Sequence, residues 1–383
     1  MKTKEIPAWH LREFDKALIT ATYFGFLPIS TPKITQGDID AVSHCEEHPH
    51  YDAAEKAALI RTYLEEDLIS LPHPLALVYK RKKPMGYGLH LIGSATGIAE
   101  ALLIRAALSV LSELGFKNLR VDLNCIGDKE SLNIYERELI NFVKKFGASL
   151  SDEAKLALKE DIFNLWRLEN EEMVELRSTA PNSITYLSAQ ARAHFKEVLE
   201  FVESLNIEFG LAPELIGEKN HVSHTIFAIR ASGVDQELSV QYQEPLAVGY
   251  RYSRLSRRVG LRKEVPMAGV TIFCDKRDIE QRIYKELPKP KFYLVQLGRV
   301  AKIKTLGLIE LLRSHKIPVH HFLGKDKLTA QLSGAETLRV PYLIIIGHKE
   351  ALEGTATVRN MQTRAQDTMP MSELPKFLKN IRL

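Results

Sequence analysis

Cysteine is scarce in this chain. Cys45, Cys125 and Cys274 lie far apart in sequence and form no Cys-x-x-Cys pair. That argues against a disulfide framework and predicts reduced thiols in a cytoplasmic setting. Long apolar runs are also missing. Nothing approaches the roughly 20 residues that cross a bilayer, so no membrane partner is expected. The start, Met-Lys-Thr-Lys-Glu-Ile-Pro, lacks the apolar core of a signal peptide. No Gly-x-Ser-x-Gly, Walker loop or His-Glu-x-x-His occurs, which weighs against those catalytic classes. Low-complexity segments and short repeats are absent as well.

What is present is an uneven charge. Residues 289–383 carry 16 Lys and Arg against seven Asp and Glu, a net +9 in a chain whose total is only +4. A basic module on an acidic body predicts an anionic polymer docked at one end, with a solvated charged surface as the plainer alternative. Leu287-Pro288-Lys289-Pro290-Lys291 reads as a stiff linker, because two prolines among lysines resist helix and strand. The 383 residues suffice for two or three domains with full cores.

Hydrophobic periodicity predicts helices over 10–24, 53–71 and 98–114, and strands over 26–32, 75–79 and 119–124. The prolines that bracket 26–32 place that strand at a sheet edge. From 128 to 205 the pattern is almost purely helical. Strands are then expected at 225–229, 238–242 and 268–273, a Gly-Tyr-Arg-Tyr turn at 249–252, and helices at 254–259 and 278–286. Strands in runs, with helices grouped elsewhere, argue for an α+β body with an antiparallel sheet. The tail alternates instead: strand 292–297, helix 300–314, strand 317–322, helix 327–338 and strand 342–346. That spacing predicts βαβ units in a largely parallel sheet, followed by strands 355–359 and 366–369 and a helix over 372–381. The expected layout is a core of 1–127 and 206–286, a helical insertion at 128–205, a linker at 287–291 and a terminal domain at 292–383.

Two clusters invite chemistry. His44 and His48 stand at i and i+4 beside Cys45, Glu46, Glu47 and His50. Pro49 breaks any helix there and no distant ligand stands out, so a polar loop without metal is the reading. Lys80-Arg81-Lys82-Lys83 ends a strand and could grip phosphates, or could be solvated surface.

Over nearly its whole length the chain resembles histidyl-tRNA synthetases, class II aminoacyl-tRNA synthetases. The resemblance is carried by Leu123-Asn124-Cys125-Ile126-Gly127-Asp128, by Pro341 to Gly347, by Leu246 to Tyr252 and by Gly25 to Pro32. It implies a class II antiparallel sheet with a helical insertion, a C-terminal α/β anticodon-binding-like domain, and a homodimer through the N-terminal helix and strand. It also implies tRNA, or another RNA, as partner. Lys289, Lys291, Arg299, Lys302, Lys304, Lys325 and Lys327 are the RNA-binding candidates.

At positions that resemble the family's catalytic motifs, residue types change. The ATP-binding arginine of Phe-Arg-x-Glu reads as Lys80 in Tyr79-Lys80-Arg81-Lys82, and the glutamate reads as Lys82. Lysine is a point charge and cannot copy a bidentate fork on phosphate. The loop after Pro84 is shortened relative to the family. In the third motif Phe273 stands for glycine, and the cation becomes Lys276, or Arg277 by a shift of one. The histidine-specific Arg-Gly-Leu-Asp-Tyr-Tyr aligns with Gly217 to Val222, where none of it is kept. Glu55 and Arg61 match the Pro-Glu-x-Thr…Arg segment, with Ala57 for its threonine. The substrate and ATP candidates are therefore Glu55, Arg61, Lys80, Arg81, Lys82, Lys276 and Arg277, with no catalytic residue assigned.

Losing one preorganised donor costs about 2.7–4 kcal/mol of transition-state stabilisation, and several are altered here. The expected function is RNA binding with lost or impaired aminoacylation. A divergent active histidine–tRNA ligase using ATP with Mg is the first alternative. A regulatory subunit of histidine biosynthesis, like the synthetase-like partner of ATP phosphoribosyltransferase, is the second.

Overall fold

The computed structural model describes residues 13–43, 45, 50, 52–71, 73–146, 150–165, 168, 171–231, 244–275, 283–287, 289–324 and 327–381. An aspartate opens two of the helices packed on the body. Asp15 accepts from the Leu18 amide at the start of α1 (Lys16–Tyr23). Asp52 does the same for α3 (Ala53–Glu65), which follows the short α2 (Gln36–Ala41). Such caps satisfy amides that a helix leaves without partners. A 3₁₀ turn over Leu68–Ser70 replaces the end of the longer helix expected there. Helix α4 (Ile98–Glu113) is apolar nearly all round and is accordingly buried nearly all round.

Eight strands form the large sheet: β1 (Leu27–Pro28), β2 (Leu75–Lys82), β3 (Met85–Ile92), β4 (Leu119–Gly127), β5 (Phe209–Leu211), β6 (Ser223–Ala231), β7 (Ala247–Arg251) and β8 (Met267–Phe273). Their order is β1-β2-β3-β8-β7-β6-β4-β5. Pairing is antiparallel except where the two edge strands meet β2 and β4. β1 sits at the edge, as its proline demands. The 128–205 region is helical: α5 (Lys129–Lys144), α6 (Asp152–Glu160), α7 (Ile162–Leu165), α8 (Glu171–Thr179) and α9 (Ala189–Ser204). A single helical turn, α10 (Leu255–Arg258), follows β7.

Alternation along the strands separates two cores. Val78, Leu89, Val270 and Ile272 face α4, α1 and α9. Leu77, Tyr79, Val248 and Tyr250 face α3 and the insertion.

The tail sheet has the order β10-β9-β11-β12-β13, from β9 (Phe292–Gln296), β10 (Val319–His321), β11 (Tyr342–Ile346), β12 (Thr355–Asn360) and β13 (Gln366–Pro370). Helices α11 (Arg299–Ser314) and α12 (Leu328–Thr337) make the crossovers, then α13 (His348–Glu353) and the terminal α14 (Leu374–Asn380) follow. The first three strands are parallel; β12 runs antiparallel to β11, and β13 antiparallel to β12. A short hairpin cannot make a parallel crossover, so the sheet is more mixed than expected. α13 was too short for its periodicity to show.

α11 docks on the body through charge as well as apolar contact. Arg105 Nη2 lies 2.7 Å from Glu310 Oε1, and Arg313 Nη1 lies 3.3 Å from Glu113 Oε1. Three expectations need correction or fall outside view. Residues 249–252 are not a turn, because Gly249 to Arg251 belong to β7. Residues 283–287 are not helical; Tyr284 bridges to Phe14 instead. The expected strand at 238–242 and most of the helix at 278–286 lie outside the described residues.

Candidate active site

The sheet face toward α3 is where the resemblance would place ATP and amino acid. Register brings Tyr79 opposite Gly88, Leu77 opposite His90 and Thr271 opposite Gly88, all on this face. The Tyr79 ring lies directly over Gly88, where a Cβ would come within 2.6 Å of it. Tyr79 Oη and His90 Nε2 are 3.0 Å apart, and His90 Nδ1 and Tyr252 Oη are 2.9 Å apart. All three side chains are fully buried. Burial, with the charges of Lys56 and Arg81 added, holds His90 well below its ordinary pKa and keeps it neutral.

Charged groups fill the rest of the face. Arg81 Nε donates to Glu55 Oε1 at 2.8 Å, and Nη2 donates to Asp52 Oδ2 at 3.2 Å. Lys56 is 1 % exposed, and its ammonium donates to Thr271 Oγ1 at 3.1 Å. It also stands 6.0 Å from the Tyr250 ring centroid. Desolvation lowers the Lys56 pKa, against the pull of Glu55. Burial raises the Glu55 pKa, but Lys56 and Arg81 outweigh it and hold the carboxyl below its usual range. Two carboxylates, Asp52 and Glu55, thus face two cations without help from a ligand.

Strand parity divides the basic run. Lys80 points to the opposite face, donates to Asp15 Oδ2 at 3.0 Å and leaves 43 % of its side chain in solvent. Lys82 is exposed at the strand end, and the β2–β3 connection is only Lys83 and Pro84. Arg61 lies away from the face, held by Asp38 at 3.1 Å and Glu65 at 2.6 Å. The geometry therefore gathers Glu55 with Arg81 but not with Lys80, Lys82 or Arg61. Lys276 and Arg277 lie outside the described residues. Sequence reasoning missed Asp52, Lys56, Thr271 and His90. The apolar pattern of α3 does place 56 beside core positions, and a lysine there was the available signal.

Arg251, within the segment that resembles the family, anchors the fold. It makes a bidentate pair with Glu100 at 2.6 and 2.8 Å and donates to the Ser94 and Thr96 carbonyls.

The RNA candidates divide too. Lys289, Lys291, Lys304 and Lys327 are exposed. Arg299 pairs with Glu200 of α9, and Lys302 is buried, so docking of α11 engages both. Lys325 lies outside the described residues.

Residues 291–381 match the family described as the anticodon binding domain. The chain is 27 % identical over 333 residues to the histidine–tRNA ligase of Synechococcus elongatus, covering 83 % of this chain and 75 % of that protein. It is 26 % identical to histidine–tRNA ligase 1 of Shouchella clausii, covering 84 % and 79 %. The crystal structure of apo histidyl-tRNA synthetase from S. aureus superposes with a TM-score of 0.51 at 20 % identity, covering 94 % of this chain and 93 % of that one. The chain is histidyl-tRNA synthetase-like, a mixed α/β protein with a large antiparallel-rich sheet and a C-terminal anticodon-binding domain.

Proposed function

We propose that this chain binds tRNA, or a related RNA, and does not activate histidine efficiently. The observation that carries the reading is the occupied sheet face. The buried side chains of Lys56, Tyr79, Arg81, His90 and Tyr252 fill it: His90 links the two tyrosines, Lys56 donates to Thr271, and Arg81 donates to Glu55. ATP with Mg does not fit these residues. The buried guanidinium is already committed to Asp52 and Glu55, and the neighbouring lysine points to the other face. Drawing Arg81 onto a triphosphate would strand the buried Glu55 carboxylate, which is costly.

In this reading the body is 1–127 with 206–286, the insertion is 128–205, and the linker 287–291 leads to an RNA-binding unit at 292–383. Its exposed cations and its match to an anticodon binding domain support RNA as the ligand. Curated relatives that are histidine–tRNA ligases make tRNA(His) the first RNA to try. The reading also carries a homodimer through α1 and β1, which sedimentation measures.

The test pairs two assays on full-length protein. Histidine-dependent ATP–pyrophosphate exchange is expected at background, while tRNA binds with an affinity that falls steeply with salt. Exchange at the rate of an ordinary ligase, abolished by Lys80→Ala, would establish the catalytic alternative instead. Absence of RNA binding at low salt would refute the reading altogether.

A further inference from the structure

A cavity of about 220 Å³ opens between the body and the C-terminal unit. Leu75, Leu91 and Leu102 of β2, β3 and α4 line one side of it. Val319, Leu323 and Leu338, from β10 and the segments around α12, line the other. No Asp, Glu, Lys or Arg is in its wall. His320 and His321 are, but burial lowers both to about 4, so both are neutral at physiological pH. Two polar side chains of this wall lack partners among the described residues. Ser94 is 5 % exposed, and its buried Oγ makes no hydrogen bond. His320 likewise makes none, and burial is the sole influence on its ring. By contrast, His321 Nε2 donates to the Phe24 carbonyl at 2.9 Å, and the Thr22 and Thr337 hydroxyls donate to carbonyls of their own helices. Gly324 closes the wall beside Ser94, where a Cβ would come within 2.9 Å of Pro74 and 3.3 Å of the serine oxygen.

We propose that this cavity binds a neutral, single-ring aromatic molecule carrying a hydroxyl group, anchored by Ser94 and His320. Volume sets the size. A cavity of about 150 Å³ lined by aliphatic and aromatic side chains holds benzene, so about 220 Å³ leaves room for a ring with small substituents. Water is a poorer occupant. The same space equals about seven waters at about 30 Å³ each, and a buried water makes about three hydrogen bonds. Two free side chains in an apolar wall cannot supply that many. The uncharged lining also excludes amino acids, carboxylates and nucleotides, whose charges would lose their hydration and gain no counter-charge. A hydroxyl donates and accepts, which suits a serine and a neutral imidazole that can each do either. An apolar wall with a few polar anchors, set between two units, is the common form of a small-molecule site. A molecule held here touches β2 and α4 on one side and β10 and α12 on the other, and so ties the C-terminal unit to the body. The inference stands whether or not that unit binds RNA.

The test titrates full-length protein with p-cresol, toluene and benzoate, followed by saturation-transfer NMR and by the shift in Tm. p-Cresol is expected to bind with a Kd of about 1 mM or tighter, toluene about three- to tenfold more weakly, and benzoate more weakly again. Ser94→Ala removes a hydroxyl that has no partner, so the Tm should hold while p-cresol loses about threefold or more in affinity and toluene loses none. His320→Phe should give the same split between the two probes. Ala76→Phe, which fills the cavity, should abolish binding of both, and Ala99→Leu supplies the same readout if that variant fails to fold. Folded wild-type protein that binds neither neutral probe overturns the proposal. So does benzoate binding as tightly as p-cresol, or p-cresol binding that survives the cavity-filling variants. Because β1 contributes Leu27 and Pro28 to the rim, a second copy of the chain is the competing occupant. Probe binding that appears only on dilution to monomer would assign the cavity to that copy and overturn the proposal.

Discussion

Arg81→Met and Lys80→Met form a paired test of how strand β2 presents its cations. The two residues are neighbours of similar charge, but parity sends them to opposite faces. Arg81 is 3 % exposed and shares its guanidinium between Glu55 and Asp52. Removing it leaves Glu55, itself 4 % exposed, with Lys56 as its remaining cation. Breaking a buried pair from one side costs about 3–5 kcal/mol. That shifts the unfolding equilibrium by roughly two to three and a half decades. Lys80 is partly exposed, and Asp15 keeps its bonds from Tyr87 and the Leu18 amide without it, so losing the pair should cost at most about 1 kcal/mol. Urea unfolding followed by circular dichroism reads both variants. Arg81→Met should move the midpoint far below that of Lys80→Met, and Glu55→Leu placed on top of Arg81→Met should recover part of the loss. Equal midpoints for the two single variants, or the larger loss at Lys80, would refute the packing argument for this face.

Further outcomes follow from the same reasoning. Glu100→Gln should cost about 3–5 kcal/mol because it strands the buried Arg251, and calorimetry should register the lower Tm. Burial raises the Glu100 pKa, but Arg251 and His194 overcome it and hold the carboxyl well below its usual range. Its contribution is therefore complete above the unfolded value of about 4.3 and is lost as pH falls, an acid limb that Glu100→Gln should flatten. Burial also lowers His320 and His321 to about 4, so both are neutral in the fold. Stability should fall between about pH 6.5 and 4, and His321→Phe should reduce that slope in pH-dependent urea curves. Gly88→Ala should cost about 1–3 kcal/mol by driving a methyl into the Tyr79 ring, read by the same urea curves. For RNA, Lys304→Ala and Lys327→Ala should each lower the salt slope by about 1, whereas Arg299→Ala, already paired with Glu200, should lower it less.

Much of the fold was legible because burial leaves strong periodic traces. The largely apolar α4 and the strand–helix alternation of the tail are examples. The misread turn has a specific cause. Gly249 sits mid-strand because the Phe227 ring lies where its Cβ would be, 2.1 Å away, so a turn residue was serving close packing. The candidate site was legible only in part. Lys80 and Arg81 were visible as a basic run, but strand β2 is apolar on both faces ahead of them, so nothing in the local pattern set their direction. Asp52, Lys56 and Thr271 carry no motif, and the fold alone makes them neighbours.

The electrostatics of the occupied face argue from the charges alone. A nucleotide site must keep cations short of anions until phosphate arrives, since a site already neutral gains little from a polyanion and loses its internal pairs. Here Arg81 and Lys56 meet the buried Glu55 and the half-buried Asp52 in one cluster, so most of that deficit is closed before any ligand approaches. In the C-terminal unit, by contrast, Lys289, Lys291, Lys304 and Lys327 are exposed. In the proposed reading the basic C-terminal unit supplies the attraction for a polyanion, and this partition is how the fold would hold RNA without processing ATP.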